Sequence, residues 1–132
     1  MKQNDLDLYN IPKPHEWNGE FWAINNQILT LRLYKPYKNK GGSLWLHFQE
    51  VLHFKLPIMW KGVKFKRGSS VDCLLMTRSM QRYNVREMPS SKIVERYNLY
   101  IIVQNNDERE ENNLHILGSQ VSIINKLKWN LS

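Results

Sequence analysis

Four histidines and one cysteine are the side chains best suited to chemistry in this 132-residue chain. His47 and His53 lie in one extended stretch, "HFQEVLH". Six residues of strand span roughly 20 Å, so these two imidazoles cannot close on one ion. His15 and His115 would have to converge from distant parts of the chain. No Cys-x-x-Cys pair, His-Glu-x-x-His helix or acidic calcium loop is present, so no metal site is expected. Cys73 opens the run "CLLM". In a first helical turn the dipole would favour its thiolate, but a small core residue is the plainer reading. Asp107, Glu108, Glu110 and Glu111 crowd one polar stretch and read as solvated rather than as a paired acid and base. "KNKGGS" lacks the Gly-to-Lys-Ser/Thr frame of a phosphate loop, and no serine sits in a Gly-x-Ser-x-Gly elbow. No motif names a reaction, so the expectation is a protein without catalysis or cofactor.

The other chemistry on offer is recognition. "FKLPIMWKGVKFKRG", from Phe54 to Gly68, carries five positive charges and no negative one around a tryptophan and two phenylalanines. Strand alternation puts Val63, Phe65 and Arg67 on one side and Lys64 and Lys66 on the other. The lysines thus point outward because valine and phenylalanine point inward. A functional reading adds Lys55 and Lys61, with Trp60 near the same surface. Basic side chains interleaved with aromatics bind single-stranded nucleic acid through phosphates and stacking. Aromatic and arginine side chains equally dominate affinity at protein interfaces. The aromatic octapeptide of an RNA-recognition motif is absent. Arg78, Arg82 and Arg86 follow at four-residue steps and would form one stripe on a helix. The candidate partner-binding set is Lys55, Trp60, Lys61, Lys64, Lys66, Arg78 and Arg82.

These side chains need elements to hold them. Residues 1 to 20 are polar, and Pro12 and Pro14 argue against a helix, so an extended N-terminal arm is expected. In "NQILTLRLYK", Leu29, Leu31 and Leu33 alternate with Thr30 and Arg32, the pattern of a half-buried strand. "KPYKNKGGS" reads as a hairpin loop. Leu44, Leu46 and Phe48 then alternate with Trp45 and His47, and a bulge near Gln49 and Glu50 would restore the apolar parity beyond it. Pro57 ends that strand or marks an edge. "SSVDCLLMTRSMQRY" is the helix candidate, capped by Ser69 or Ser70, with Val71, Leu74, Leu75 and Arg78 at helical spacing. "MPSSK" reads as a loop. Leu99 to Val103 is apolar on both faces, as in a central strand. Two apolar runs around Gly118 and Ser119 read as strands with a kink or turn. The expected architecture is α+β: a mostly antiparallel sheet of about six strands with one helix near 70–84.

Length and composition bound the rest. A chain of this size is expected to form one domain over 1–132. Its hydrophobic share of 42% is enough for a packed core. A net charge of +7 suits an acidic partner, whether nucleic acid, an anionic surface or an acidic protein face. A lone cysteine fits a reducing compartment. The N-terminus lacks a basic-then-apolar signal, and no run approaches the roughly 20 apolar residues of a membrane span, so a cytoplasmic protein with no membrane partner is expected.

The order of elements resembles the small β-rich immunity proteins of bacterial polymorphic-toxin and contact-dependent inhibition systems. The residues that carry the resemblance are "ILTLRL", "LWLHFQEV" after a Gly-rich loop, and the late pair "LYIIVQ" and "LHILGSQVSI" flanking a polar loop, spanning roughly 27 to 124. The resemblance implies a single-domain cytoplasmic protein that binds and neutralises a cognate toxin domain as a tight heterodimer and performs no chemistry. Many such proteins are acidic, whereas this chain is basic. The toxin's contact face would then be acidic, or contact would run through the acidic loop 107–111. The alternative is a small basic nucleic-acid-binding protein using the lysines and arginines above. A third reading is an enzyme with a dispersed site built on a histidine such as His47 or His115.

Overall fold

The computed structural model describes residues 7–36, 43–80, 85, 87–103 and 114–125. Among these residues nine strands form: β1 (Asn18–Asn25), β2 (Ile28–Tyr34), β3 (Leu44–Gln49), β4 (His53–Lys55), β5 (Met59–Lys61), β6 (Lys64–Arg67), β7 (Asn98–Val103), β8 (Leu114–Gly118) and β9 (Gln120–Asn125). They make a five-stranded sheet in the order β5-β1-β2-β3-β9 and a four-stranded sheet in the order β4-β8-β7-β6. Every pairing is antiparallel. Among the described residues two helices of seven residues or more, α1 (Ser70–Ser79) and α2 (Ser90–Arg96), complete a mostly β, α+β fold.

Nine segments and an expectation of about six strands are reconciled by bends. β3 runs into β4, β5 into β6 and β8 into β9, each pair changing sheets with only one to three residues between. The hydrogen-bonded path therefore closes on itself: β1, β2, β3/β4, β9/β8, β7, β6/β5 and back to β1. The expected bulge lies at one of these corners. Between the pairs Gln49–Gln120 and His53–Leu117, three residues on one strand face two on the other. Glu50 takes the left-handed conformation there, at φ 48°. A chain that adds one residue on one side bends and twists, which is how strands turn from one sheet into another. Gly118 permits the corner, because a Cβ on it would lie 2.9 Å from the Gln49 carbonyl oxygen.

The inward parity of both sheets fills the main core with Leu29, Leu31, Leu33, Leu46, Phe48, Phe65, Tyr100, Ile102 and Ile116. A second core lies on the other side of the four-stranded sheet, where Cys73, Ile93 and Tyr97 meet Leu52, Leu99, Ile101 and Leu117. β7 serves both cores, so Leu99, Tyr100, Ile101 and Ile102 are all buried, as its two-faced apolar run requires.

Three expectations give way, and one strand goes unread. Residues 7–17 are not an extended arm: Leu8 and Ile11 enter the main core, and a 3-10 turn spans Pro14–Glu16. Proline is compatible with a first helical position because its missing N–H would be unpaired there anyway. β1 escapes the alternation test because its register slips between Phe21 and Ala23. In α1 the predicted apolar face is rotated. Ser69 does cap the helix, accepting from the Asp72 amide at 3.0 Å. Yet Cys73 and Thr77 are buried while Val71 and Leu75 are 65% and 62% exposed. Only Gly68 and Ser69 separate the helix from the end of β6. Finally, "MPSSK" is not all loop, since α2 starts at Ser90 and buries Ile93.

Candidate partner-binding surface

The structure separates the seven residues nominated from sequence. Lys64 and Lys66 are exposed on β6 and point away from Phe65, as their parity requires. Lys55 is exposed on β4, opposite His115. These three lie on the outer side of the four-stranded sheet, but His115 and Ile101 separate Lys55 from Lys66 in register, and Ile101 is buried in the helical core. Lys61 belongs to the other sheet, opposite Asn18. Trp60 is a correction: it is 7% exposed, its indole lies across Gly19 in the main core, and it offers no stacking surface. Arg78 is occupied structurally, donating to the Val85 carbonyl at 3.4 Å and to Ser90 Oγ at 3.1 Å, which joins α1 to α2. Arg82, Arg86 and the acidic stretch 107–111 lie outside the described residues.

The candidate catalytic groups also disperse. His47 is on β3, whereas the bend at Glu50 carries His53 into the other sheet, where its ring stacks on His115 at 5.1 Å. Among the described residues no three His, Cys, Asp or Glu side chains gather as a metal site would need. Cys73 Sγ donates to the Tyr97 carbonyl at 3.4 Å. Burial pushes its thiol above the ordinary value of 9.0, against smaller opposing effects of the Thr77 hydroxyl and the Arg67 charge. A protonated thiol in a packed helix is a poor nucleophile.

What the structure brings together is the outer face of the five-stranded sheet. Met59, Glu20, Arg32, Trp45 and Ile124 are mutually opposite across all five strands. With strands about 4.8 Å apart, this row is about 19 Å wide. At its centre Arg32 bonds Glu20 Oε2 at 3.3 Å and Ser43 Oγ at 2.8 Å, and its guanidinium lies 4.6 Å from the Tyr34 ring centroid. Trp22, the extra residue of the β1 irregularity, is 54% exposed and meets Trp45 edge-on at 4.8 Å. Met59 is 55% exposed, and Ile58, whose carbonyl accepts from the Phe21 amide, is 76% exposed. Ile28 adds a further exposed apolar group at the hairpin end. Apolar side chains grouped this way, around an already paired arginine, form a patch of the kind that marks an interaction site.

Trp45 and Arg32 were each legible as outward-facing from alternation. Trp22 was not, because a bulge defeats a period of two. Compared with protein-family models, curated proteins and solved structures, the chain matches none. The fold and this face define a β-rich α+β protein with a broad aromatic sheet surface.

Proposed function

We propose that this protein works by binding, and that the outer face of the five-stranded sheet docks a protein partner. The observation that carries this is exposed Trp22 packed on Trp45, on the same face as the oriented Arg32 and, at its far edge, exposed Met59. Tryptophan and arginine are the residues that most often anchor protein interfaces, and pre-fixed side chains lose little entropy on docking. The central Glu20–Arg32 pair speaks against nucleic acid on this face, since it sets a carboxylate where phosphates would lie and already engages the arginine. The partner class we favour is a toxin domain, neutralised in the cytoplasm by a tight heterodimer, in keeping with the resemblance to small immunity proteins. The basic residues Lys55, Lys64 and Lys66 are the ones a nucleic-acid reading would use.

A tagged pull-down from the native host, washed at about 0.5 M salt, tests the proposal, because phosphate contacts weaken steeply with salt and an apolar interface does not. One stoichiometric protein that is toxic alone supports it. Nucleic acid surviving the wash without a protein partner overturns it.

A further inference from the structure

The four strands at the margins of the two sheets are not alike. β4, β5 and β6 are three, three and four residues long, and each carries Lys or Arg. Short length and basic side chains are how sheet edges are kept from pairing with other chains. β9 has neither protection. It is six residues, Gln-Val-Ser-Ile-Ile-Asn, without charge or proline. Among the described residues it pairs with β3 alone, and no backbone group bonds the outer edge of Val121 to Ile124. An unprotected edge is a template for a further strand. In a chain of net charge +7, β9 is also the edge strand of the four that carries no lysine or arginine, so two copies can meet along it without bringing strand cations together.

We infer that β9 pairs antiparallel with β9 of a second copy of this chain across a two-fold axis, joining the two five-stranded sheets into one. Residues opposite each other in a continuous sheet share a face, so the axis passes at Ser122 or at Ile123. In the first register Val121 meets the mate's Ile123 and Ser122 meets its own mate. In the second, Ser122 meets the mate's Ile124. In both, Ile124 falls opposite an outer-face residue of the mate, Gln120 in the first register and Ser122 in the second, so the outer face of one five-stranded sheet continues into that of the other. This inference does not depend on what the aromatic face binds.

Sedimentation velocity on the full chain between about 5 and about 500 µM tests it, since self-association follows mass action. The expected result is a weight-average mass rising from 15.8 kDa toward twice that value. The double variant S122E/I124E is the control. Within one protomer its carboxylates fall opposite His47 and Trp45 on the outer face, where polar groups are tolerated. Across the two-fold they fall opposite one another in either register, which opposes pairing. The variant should stay monomeric with an unchanged melting curve. A wild-type chain that is monomeric throughout overturns the inference, as does a folded variant that still dimerises. Should the variant lose its fold, hydrogen exchange on the wild type decides. Slower exchange of the Val121 to Ile124 amides with rising concentration supports self-pairing. Exchange that is independent of concentration overturns it, including where those amides slow only with a foreign protein, which would assign the edge to that partner.

Discussion

Gly19→Ala is a one-carbon change that should unseat Trp60. A Cβ built on Gly19 lies 2.2 Å from Trp60 Cε2 and 2.3 Å from Cζ2, whereas unstrained carbon contacts sit near 3.5–4.0 Å. Gly19 is held between Leu33 and Trp60 in the sheet, so the backbone has little room to yield. The indole must leave the core, or β5 must part from β1. Truncating a buried Trp costs about 3–5 kcal/mol, and partial expulsion sets the expectation for G19A at about 2–4 kcal/mol. In a Trp60→Ala background the clash is gone. There the same change should be neutral or stabilising by about 0.4–1 kcal/mol, because alanine restricts the unfolded chain. Urea unfolding followed by far-ultraviolet circular dichroism on the four proteins of this cycle gives the coupling directly. Equal costs of G19A in both backgrounds, within about 0.5 kcal/mol, would refute the reasoning.

Other expectations are shorter to state. Asn26 and Gln27 both have positive φ, 52° and 65°, in the two-residue turn between β1 and β2, so Gln27→Gly should raise stability by about 0.5–1 kcal/mol, read as a higher melting temperature. The Cys73 thiol is held above 9.0 in the fold, so stability should be intact below that pH and fall as pH rises through the folded value; Cys73→Ala should lack this alkaline loss in pH-dependent unfolding. The same thiol should resist a disulfide reagent in native buffer and react fully in urea. Replacing Glu50 with Gln breaks its ion pair with Arg96, and since both side chains are about half exposed the cost should stay within about 1 kcal/mol in a thermal melt.

Much of the sheet was readable from the chain. Leu29, Leu31 and Leu33 gave the buried parity of β2, and Leu44, Leu46 and Phe48 that of β3, because a sheet with one buried face writes a period of two. The break in that period at Gln49 and Glu50 marked a true corner. What failed has a common cause: local pattern does not report which surface a tertiary neighbour will cover. Trp60, flanked by lysines, reads as surface, yet Gly19, the second residue of β1, leaves the space that its indole fills. Val71 and Leu75 fit a helical stripe as well as Cys73 and Thr77 do, and only the approach of β7 decides between them. Trp45 and Arg32 were readable as outward-facing, but their alignment into one row depends on a register between strands that spacing within a strand cannot give.

The central claim is that the outer face of the five-stranded sheet, and not the basic edge of the four-stranded one, holds the partner. The direct measurement is the affinity of the captured partner for the wild type, for Trp22→Ala with Met59→Ala, and for Lys55, Lys64 and Lys66 all changed to Ala. Both Trp22 and Met59 are more than half exposed, so their removal should leave the fold standing. Loss of two interface anchors at about 1–2 kcal/mol each predicts a weakening of about 30-fold or more in the first variant. The lysine variant should retain affinity within a few-fold and lose only association rate at low salt. Undiminished binding by the Trp22 and Met59 variant, with affinity lost in the lysine variant, would contradict the account.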